Sequence, residues 1–367
     1  MKKIGILTYH RVYNFGSLLQ TYALQHHLQL KGENVEVIDY YPERLRMKRT
    51  LFHVNPKWRT PWIKMVVHLV PAIVSRLLGY QMMNGFLKKY VVLTKSCYKD
   101  DVELSKDLPD YDIYMNGSDQ VWNVDTSDGV VDKVFFMAFL GKDKVKTAYA
   151  GSFGKDDFSA EQLSEIGQYL GEYKSISVRE KSGLSVLEKS GITNGQWVLD
   201  PTFLLTPIEW EKIAAPMNLP KKYLLVYNLN RNPRISALAQ EIAKKKNLEI
   251  VNFAHSFSFI PGAKNVIYPT PNKFVTMFAN ADYVVTDSFH GTAFSINFGR
   301  QFICIPAPRF NSRLESVLSL VGLEKRLLGE KNDFTIIDEV IDYSEISPIL
   351  TAERSAANDF IDNILAL

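Results

Sequence analysis

The stretch Tyr283-Val284-Val285-Thr286-Asp287-Ser288-Phe289-His290-Gly291-Thr292-Ala293-Phe294-Ser295-Ile296-Asn297-Phe298 decides the fold. A β-branched run gives a strand over Tyr283–Thr286. A polar turn follows, and then an apolar segment predicts a helix over Gly291–Phe298. Phe302–Ile305 reads as the next strand, so the unit is β-α-β and its strands are parallel. The amino-terminal end repeats the pattern. Lys3–Thr8 is a strand and its loop ends at Tyr13-Asn14-Phe15-Gly16. Ser17–Leu30 then carries an apolar stripe of Leu18, Leu19, Tyr22, Leu24 and Leu28. Gly32 stops that helix, and Val35–Asp39 is the second strand.

The alternation continues through strands at Tyr111–Met115, Lys146–Ala150, Ser175–Val178 and Gln196–Leu199. Ser159 is placed to cap a helix over Ser159–Leu170. Pro207, Pro216 and Pro220 punctuate residues 206–221, where a boundary is expected. Beyond it come strands Tyr223–Tyr227, Leu248–Phe253 and Asn265–Tyr268, with helices Ile235–Lys246 and Asn272–Asn280 and a last helix over Ala352–Leu365. The expected organisation is a Rossmann-like domain over 1–205, a second over 206–350 and a carboxy-terminal helix over 351–367. A basic insert occupies about 44–99 of the first domain. The fold class is α/β, with two parallel sheets facing a cleft.

Of 367 residues, 46% are hydrophobic and 23% charged, which excludes wholesale disorder. The net charge of +3 gives no sign of a nucleic-acid partner. Cys97 and Cys304 form no CxxC or Cys/His cluster, and the aspartates are scattered, so no metal is expected. The opening apolar run, Ile4–Leu7, is too short for a secretory signal, so a cytoplasmic location is expected. The charge is uneven: Arg44 to Lys89 holds ten Lys or Arg and no Asp or Glu. With Trp58, Trp62 and the apolar run Met65–Val74, this stretch suits a hairpin lying on an anionic membrane surface. A helix packed on its parent domain is the alternative. His68, Lys64, Pro71 and Arg76 make it a poor membrane span.

Open parallel sheets bind ligands beyond the carboxyl ends of their strands, so residues just after strands are the site candidates. His290 is placed for proton transfer near neutral pH. Gly291 and Thr292 fall in a first helical turn, where free N–H groups favour an anion. Asp287 and Ser288 are substrate-contact candidates, and either residue could instead cap the helix. Arg179 ends a strand and can fork onto a carboxylate or phosphate, or pair with Asp200 or Glu180. Asn14, Gly16 and Ser17 form a strand-to-helix turn without G-x-G-x-x-G, so a dinucleotide grip is not supported. Asp119 and Gln120 lie beside Trp122, a combination suited to a sugar. In Asn311-Ser312-Arg313, a helix cap is favoured over an anion contact, with Arg313 retained as a substrate-binding candidate.

These residues carry a resemblance. Tyr13-Asn14-Phe15-Gly16-Ser17-Leu18-Leu19-Gln20, Gly117-Ser118-Asp119-Gln120-Val121-Trp122-Asn123, Ser177-Val178-Arg179-Glu180, Asp200-Pro201-Thr202, Thr286-Asp287-Ser288-Phe289-His290-Gly291 and Asn311-Ser312-Arg313-Leu314 occur in the order of the polysaccharide pyruvyl transferase family. The resemblance implies a GT-B-like fold. It implies phosphoenolpyruvate as co-substrate, with no further cofactor, and a pyruvate ketal formed on a sugar of a surface or capsular polysaccharide precursor. The acceptor it implies is a sugar on a lipid-linked oligosaccharide at the inner face of the membrane. His290 and Arg179 match the family's histidine and arginine and are the implied catalytic pair. Some members carry Arg-Leu-His where this chain has Ser288-Phe289-His290, which removes one candidate anion-binding arginine. Arg231, Arg309 and Arg313 are the candidates to replace it. The alternatives are a GT-B glycosyltransferase using a nucleotide sugar and a non-catalytic glycan-binding relative.

Overall fold

The computed structural model describes residues 1–46, 62–127, 129–254, 257–307, 311–329 and 334–367. Arg309 and Trp58 lie outside them. The first half holds strands β1 (Lys3–Leu7), β2 (Asn34–Val37), β3 (Ile113–Asn116), β4 (Lys146–Gly151), β5 (Ser175–Val178) and β6 (Gln196–Trp197). The second holds β7 (Tyr223–Tyr227), β8 (Glu249–Phe253), β9 (Lys264–Val266), β10 (Tyr283–Thr286) and β11 (Gln301–Cys304). Every pairing between these strands is parallel. The orders are β2-β1-β3-β4-β5-β6 and β11-β10-β7-β8-β9.

Each order contains one point where successive crossovers leave in opposite directions, between β1 and β3 in one sheet and between β7 and β10 in the other. Such points open a crevice at the strands' carboxyl ends. The expected two-sheet α/β architecture is therefore present. The strands read as apolar runs because both faces are covered: Ile4, Ile6, Val284 and Val285 are fully buried.

The two halves share one core. Phe15, the first residue of the helix Phe15–Leu30, stacks on Phe274 at 5.3 Å and meets Phe253 edge-on at 5.0 Å between ring centroids. Both partners belong to the second half. The carboxy-terminal helix crosses back to the first half. Arg354 Nε donates to the Phe203 carbonyl at 2.7 Å, and Lys31 pairs with Asp362 at 2.7 Å. This helix runs Tyr343–Leu365, so it begins earlier than the sequence suggests. Pro348 lies inside it, and burial of Ile346 and Leu350 on either side holds the preceding turn in place.

Within the insert, Trp62–Tyr90 is one 29-residue helix. This helix packs on the parent fold; residues 47–61, which carry the rest of the basic stretch and of the expected hairpin, lie outside the described residues. Phe86 and Tyr90 meet Tyr22, and Gln25 Nε2 donates to the Val92 carbonyl at 2.8 Å. Gly79 lies against the Tyr13 ring, where a Cβ would fall 2.1 Å from ring carbon. Ser75 touches Tyr268 of the second half, so the helix spans the two halves. Among the described residues, no helix is long and apolar enough to cross a membrane.

Candidate active site

The two crevices face one another and bring six charged or titratable side chains together. Arg179 follows β5 and is 3% exposed. Its Nη1 donates to Asp200 Oδ2 at 2.8 Å, and its Nη2 lies 3.6 Å from Asp119 Oδ1. Burial disfavours the guanidinium charge, but Asp200, Asp119 and Glu180 outweigh it and raise its pKa. Asp200 follows β6. Its Oδ1 accepts from the Thr202 amide at 2.9 Å and the Thr202 hydroxyl at 2.7 Å. Burial opposes its ionisation, yet Arg179, His290 and the Thr202 amide prevail and hold it below the usual carboxylate range.

His290 comes from the opposite half, in the first turn of the helix Phe289–Asn297. It is 5% exposed, and its Nε2 lies 3.8 Å from Asp200 Oδ2. Burial is the main cause that pushes its pKa down to about 4; Asp200 pulls the other way and Arg179 adds to the fall. The resting imidazole is neutral at pH 7. Gly16 sits directly against this ring: a Cβ there would fall 1.9 Å from His290 Nδ1. A glycine is required at that position by the close approach of the two halves.

Arg313 completes the constellation. Its guanidinium lies over the Phe289 ring at 5.7 Å, and that of Arg179 lies over the same ring at 4.9 Å. With the Gln120 amide oriented so that its oxygen faces Arg313, that oxygen accepts from Nη1 at 3.1 Å and Nη2 at 2.7 Å. Burial, and then the charge of Arg179, push the Arg313 pKa down to about 10.

The carboxylates around this pair are largely satisfied by other donors. Ser17 Oγ donates to Asp119, which also accepts from the Gln120 amide at 2.8 Å. Asp119 has φ 77°, a left-handed backbone that turns its side chain back toward Ser17. Glu180 Oε1 accepts from Ser152 Oγ at 2.9 Å and the Phe153 amide at 3.0 Å. The unmet demand is mainly for acceptors. Among the described residues, Arg179 Nε and Nη2, Arg313 Nε and His290 Nε2 are buried without a hydrogen-bond partner, as is Glu180 Oε2.

Several expected site residues are placed elsewhere. Asp287 accepts from the Leu229 amide at 2.7 Å and the Asn230 amide at 2.9 Å, so it clamps the loop after β7 and does not orient His290. Burial raises its pKa, against the pull of those amides. Ser288 caps the helix by accepting from the Gly291 amide at 3.4 Å. The Thr292 amide donates to the Ser288 carbonyl at 3.0 Å. The Gly291 and Thr292 amides are thus engaged and do not form the anion cradle expected of them. Asn14 caps the first helix, accepting from the Gly16 amide at 2.8 Å and the Ser17 amide at 3.4 Å. Trp122 is 1% exposed and packs on Phe153 and Gly151, so its face is closed to a sugar.

Asn311 does not cap through its side chain; its Oδ1 accepts from the Ala307 amide at 2.9 Å. Arg231 is exposed, with φ 56°. The pairing of Arg179 with Asp200, one of the alternatives the sequence offered, is present, whereas the ring of Phe289 was missed. Asp200 carried one signal, a carboxylate immediately after a strand and before a proline.

The geometry can now be set beside known proteins. No curated protein matches the chain by sequence. UDP-GlcNAc 2-epimerase from Neisseria meningitidis, bound to UDP-GlcNAc, is 10% identical with TM-score 0.50; the match covers 98% of this chain and 94% of that one. The S. aureus MnaA–UDP co-structure is 10% identical with TM-score 0.52, covering 95% and 91%. The E. coli heptosyltransferase WaaC with ADP is 10% identical with TM-score 0.40, covering 85% and 89%. The likeness to the N. meningitidis and S. aureus structures establishes the GT-B-like two-sheet fold. The family model for polysaccharide pyruvyl transferase matches residues 14–307, which span both crevices, and the chain belongs to the polysaccharide pyruvyl transferase family.

Proposed function

We propose that this chain transfers the enolpyruvyl-derived group of phosphoenolpyruvate to two hydroxyls of a sugar, forming a pyruvate ketal. One observation carries the reading: Arg179 and Arg313 are enclosed over one phenylalanine ring, with guanidinium N–H groups still seeking acceptors beside a buried histidine. Two guanidiniums held together repel until an anion sits between them. A substrate bearing both a carboxylate and a phosphate supplies the missing acceptors and relieves that repulsion.

The protein's part in the chemistry follows from its resting state. His290 enters neutral, because burial disfavours its charge. An incoming polyanion adds negative charge beside it and raises its proton affinity, so substrate binding loads the acid. Protonation of the methylene carbon makes the adjacent carbon electrophilic. A sugar hydroxyl attacks there, and its proton returns to the imidazole. Phosphate then leaves with the bonding electron pair. The second hydroxyl adds to the same carbon, and its proton ends on phosphate. General acid catalysis contributes about 10²–10⁴-fold to such a step. Asp200 steadies Arg179 and lies near enough to His290 to favour its cationic form. We assign the acceptor to Asp119 and Ser17, whose side chains are hydrogen-bonded to each other after β3 and at the start of the first helix.

The test is thermal stabilisation by phosphoenolpyruvate against inorganic phosphate, UDP-sugars and GDP-sugars. At a hundred times its Kd, a ligand adds about 2.7 kcal/mol to the native state. Phosphoenolpyruvate is expected to stabilise more than phosphate, and Arg313→Gln to remove most of the difference. Stabilisation by nucleotide sugars alone would overturn the donor. Ketal formation is read separately, as an acceptor mass gain of pyruvic acid less water together with release of phosphate.

A further inference from the structure

Gln120, in the turn after β3, has a side-chain amide with two claimants. Asn123 is fixed by its own oxygen, which accepts from the Asp125 amide at 2.9 Å, so its Nδ2 faces the Gln120 amide across 2.6 Å. The Asn123 backbone amide also donates to the Gln120 carbonyl at 3.1 Å, closing a turn that keeps the two side chains together. At the other end of the Gln120 amide lie Nη1 and Nη2 of Arg313, at 3.1 and 2.7 Å. A carboxamide has one oxygen and one NH2 group. With the oxygen toward Arg313, its NH2 group meets that of Asn123. With the oxygen toward Asn123, its NH2 group meets the guanidinium. Either orientation satisfies one donor and sets two donors against each other at the opposite end. The backbone of Gly154 lies against the pair: a Cβ there would fall 2.6 Å from Asn123 Nδ2 and 2.8 Å from the Gln120 amide.

A site that is one acceptor short in both orientations is completed by a ligand that brings one. We infer that Gln120 stands in for the anionic oxygen of the substrate. In the empty site its oxygen holds Arg313. When an anion takes that guanidinium, the amide turns over, its oxygen goes to Asn123, and its NH2 group, on a partly exposed residue, turns to water. The empty site favours Arg313 because a hydrogen bond from a charged guanidinium outweighs one from a neutral amide. Gln120 belongs to the first half and Arg313 to the second, so the anion replaces a bond between the halves with its own. Gln120 is thus a positioning residue: it keeps Arg313 aimed at the cleft, and it opposes anion binding instead of adding to it. The inference rests on the reading of Arg313 as an anion contact, not on phosphoenolpyruvate as the donor.

Inorganic phosphate and phosphoenolpyruvate are the probes, each titrated into the full chain by calorimetry. Gln120→Leu keeps the bulk and removes the oxygen, so Arg313 is unclaimed before binding. It is expected to bind phosphate about 5- to 10-fold more tightly than the wild type, the difference between a charged and a neutral hydrogen bond. Asn123→Ala removes the group to which the oxygen retires and is expected to weaken phosphate binding about 3- to 10-fold. Added to Gln120→Leu, Asn123→Ala is expected to change nothing, because the oxygen it serves is gone. A merely structural role for Asn123 would weaken binding in both backgrounds and overturn the inference. So would unchanged or weaker binding by Gln120→Leu, the result for a residue that contacts the substrate. Should Gln120→Leu not fold, Asn123→Ala decides alone: the expected loss supports the inference and wild-type affinity overturns it. Phosphate binding that Gln120→Leu tightens, with no preference for phosphoenolpyruvate, would refute the donor and leave this inference standing. No binding of either anion to the wild type or to Gln120→Leu would overturn both.

Discussion

Gly16→Ala tests the central geometric claim, that the two halves meet with a helix backbone pressed on the His290 ring. The added Cβ would fall 1.9 Å from Nδ1, 2.2 Å from Cγ and 2.4 Å from Cε1. Ordinary carbon contacts begin near 3.5 Å, so the ring or the helix must retreat by about 1.6 Å. Neither moves freely. Phe15 next door is locked between Phe253 and Phe274, and His290 lies in the first turn of its own helix. Overpacking of this kind costs about 1–3 kcal/mol. Against it stands the helix preference of alanine over glycine, about 1 kcal/mol at most.

Gly16→Ala is therefore expected to destabilise the chain in urea. In a His290→Ala background the obstruction is gone and the sign reverses, toward neutral or slightly stabilised. The coupling between the two sites, from the four midpoints, is expected to be about 1–3 kcal/mol. Displacement of a reacting group by about 1 Å can cost roughly 100-fold in rate, so ketal formation should fall at least that far in Gly16→Ala. An equal cost of Gly16→Ala in both backgrounds would refute the reasoning, because the contact would then not exist in solution.

The remaining predictions follow from single groups. His290 has a folded pKa of about 4, below its ordinary value of 6.5, so the unfolded chain takes up the proton first. Its contribution is full above about pH 6.5 and lost as pH falls toward 4, by about 3 kcal/mol in all; His290→Gln should flatten that slope in urea titrations. Phosphoenolpyruvate binding near neutral pH should be accompanied by proton uptake, measured by calorimetry in buffers of different ionisation enthalpy, and no uptake would remove His290 as the loaded acid. Arg179→Met leaves the Asp200 charge buried and uncompensated, so a loss of about 3–5 kcal/mol is expected, which makes Arg313 the cleaner probe of anion binding. Asp287→Asn should cost about 1–3 kcal/mol and speed amide exchange at Leu229 and Asn230, while phosphoenolpyruvate affinity is retained.

The alternation of strands and helices was legible because strands covered on both faces read as unbroken apolar runs, and most element boundaries fall within a few residues of those the pattern suggests. Ser159 as a cap was legible too, since its capping box with Gln162 is local. What the sequence hid is long-range. Arg179 and Arg313 meet over one Phe289 ring from opposite halves, and Gly16 meets His290 from the opposite half of the chain. Trp122 resembled a sugar platform by its polar neighbours, but the aromatic cluster with Phe136 and Phe153 closes over it. Asp287 was a substrate-contact candidate by its place just after a strand alone. The loop after β7, which claims its carboxylate, is remote in sequence. The composition of the basic insert fits a membrane-surface hairpin as well as a packed helix, and contacts made by Ser75, Gly79 and Phe86 show packing for the part over Trp62–Tyr90.

The second guanidinium bears on how this chain does without an arginine at position 288. Ser288 serves the helix as its cap, and a longer side chain there would forfeit that bond. Phe289 instead offers its ring to two cations, one from each half: Arg179 after β5 and Arg313 at the start of the helix Ser312–Leu320. The requirement on an anion site is spatial, so a charge that enters from another helix can meet it. The pairing also makes the site depend on docking of the halves. Arg179, Asp119 and Asp200 belong to the first, His290 and Arg313 to the second, and neither set alone opposes two guanidiniums with a histidine. Under the proposed function, the shared core at Phe15 and the returning carboxy-terminal helix set the separation at which an anion would bridge both cations.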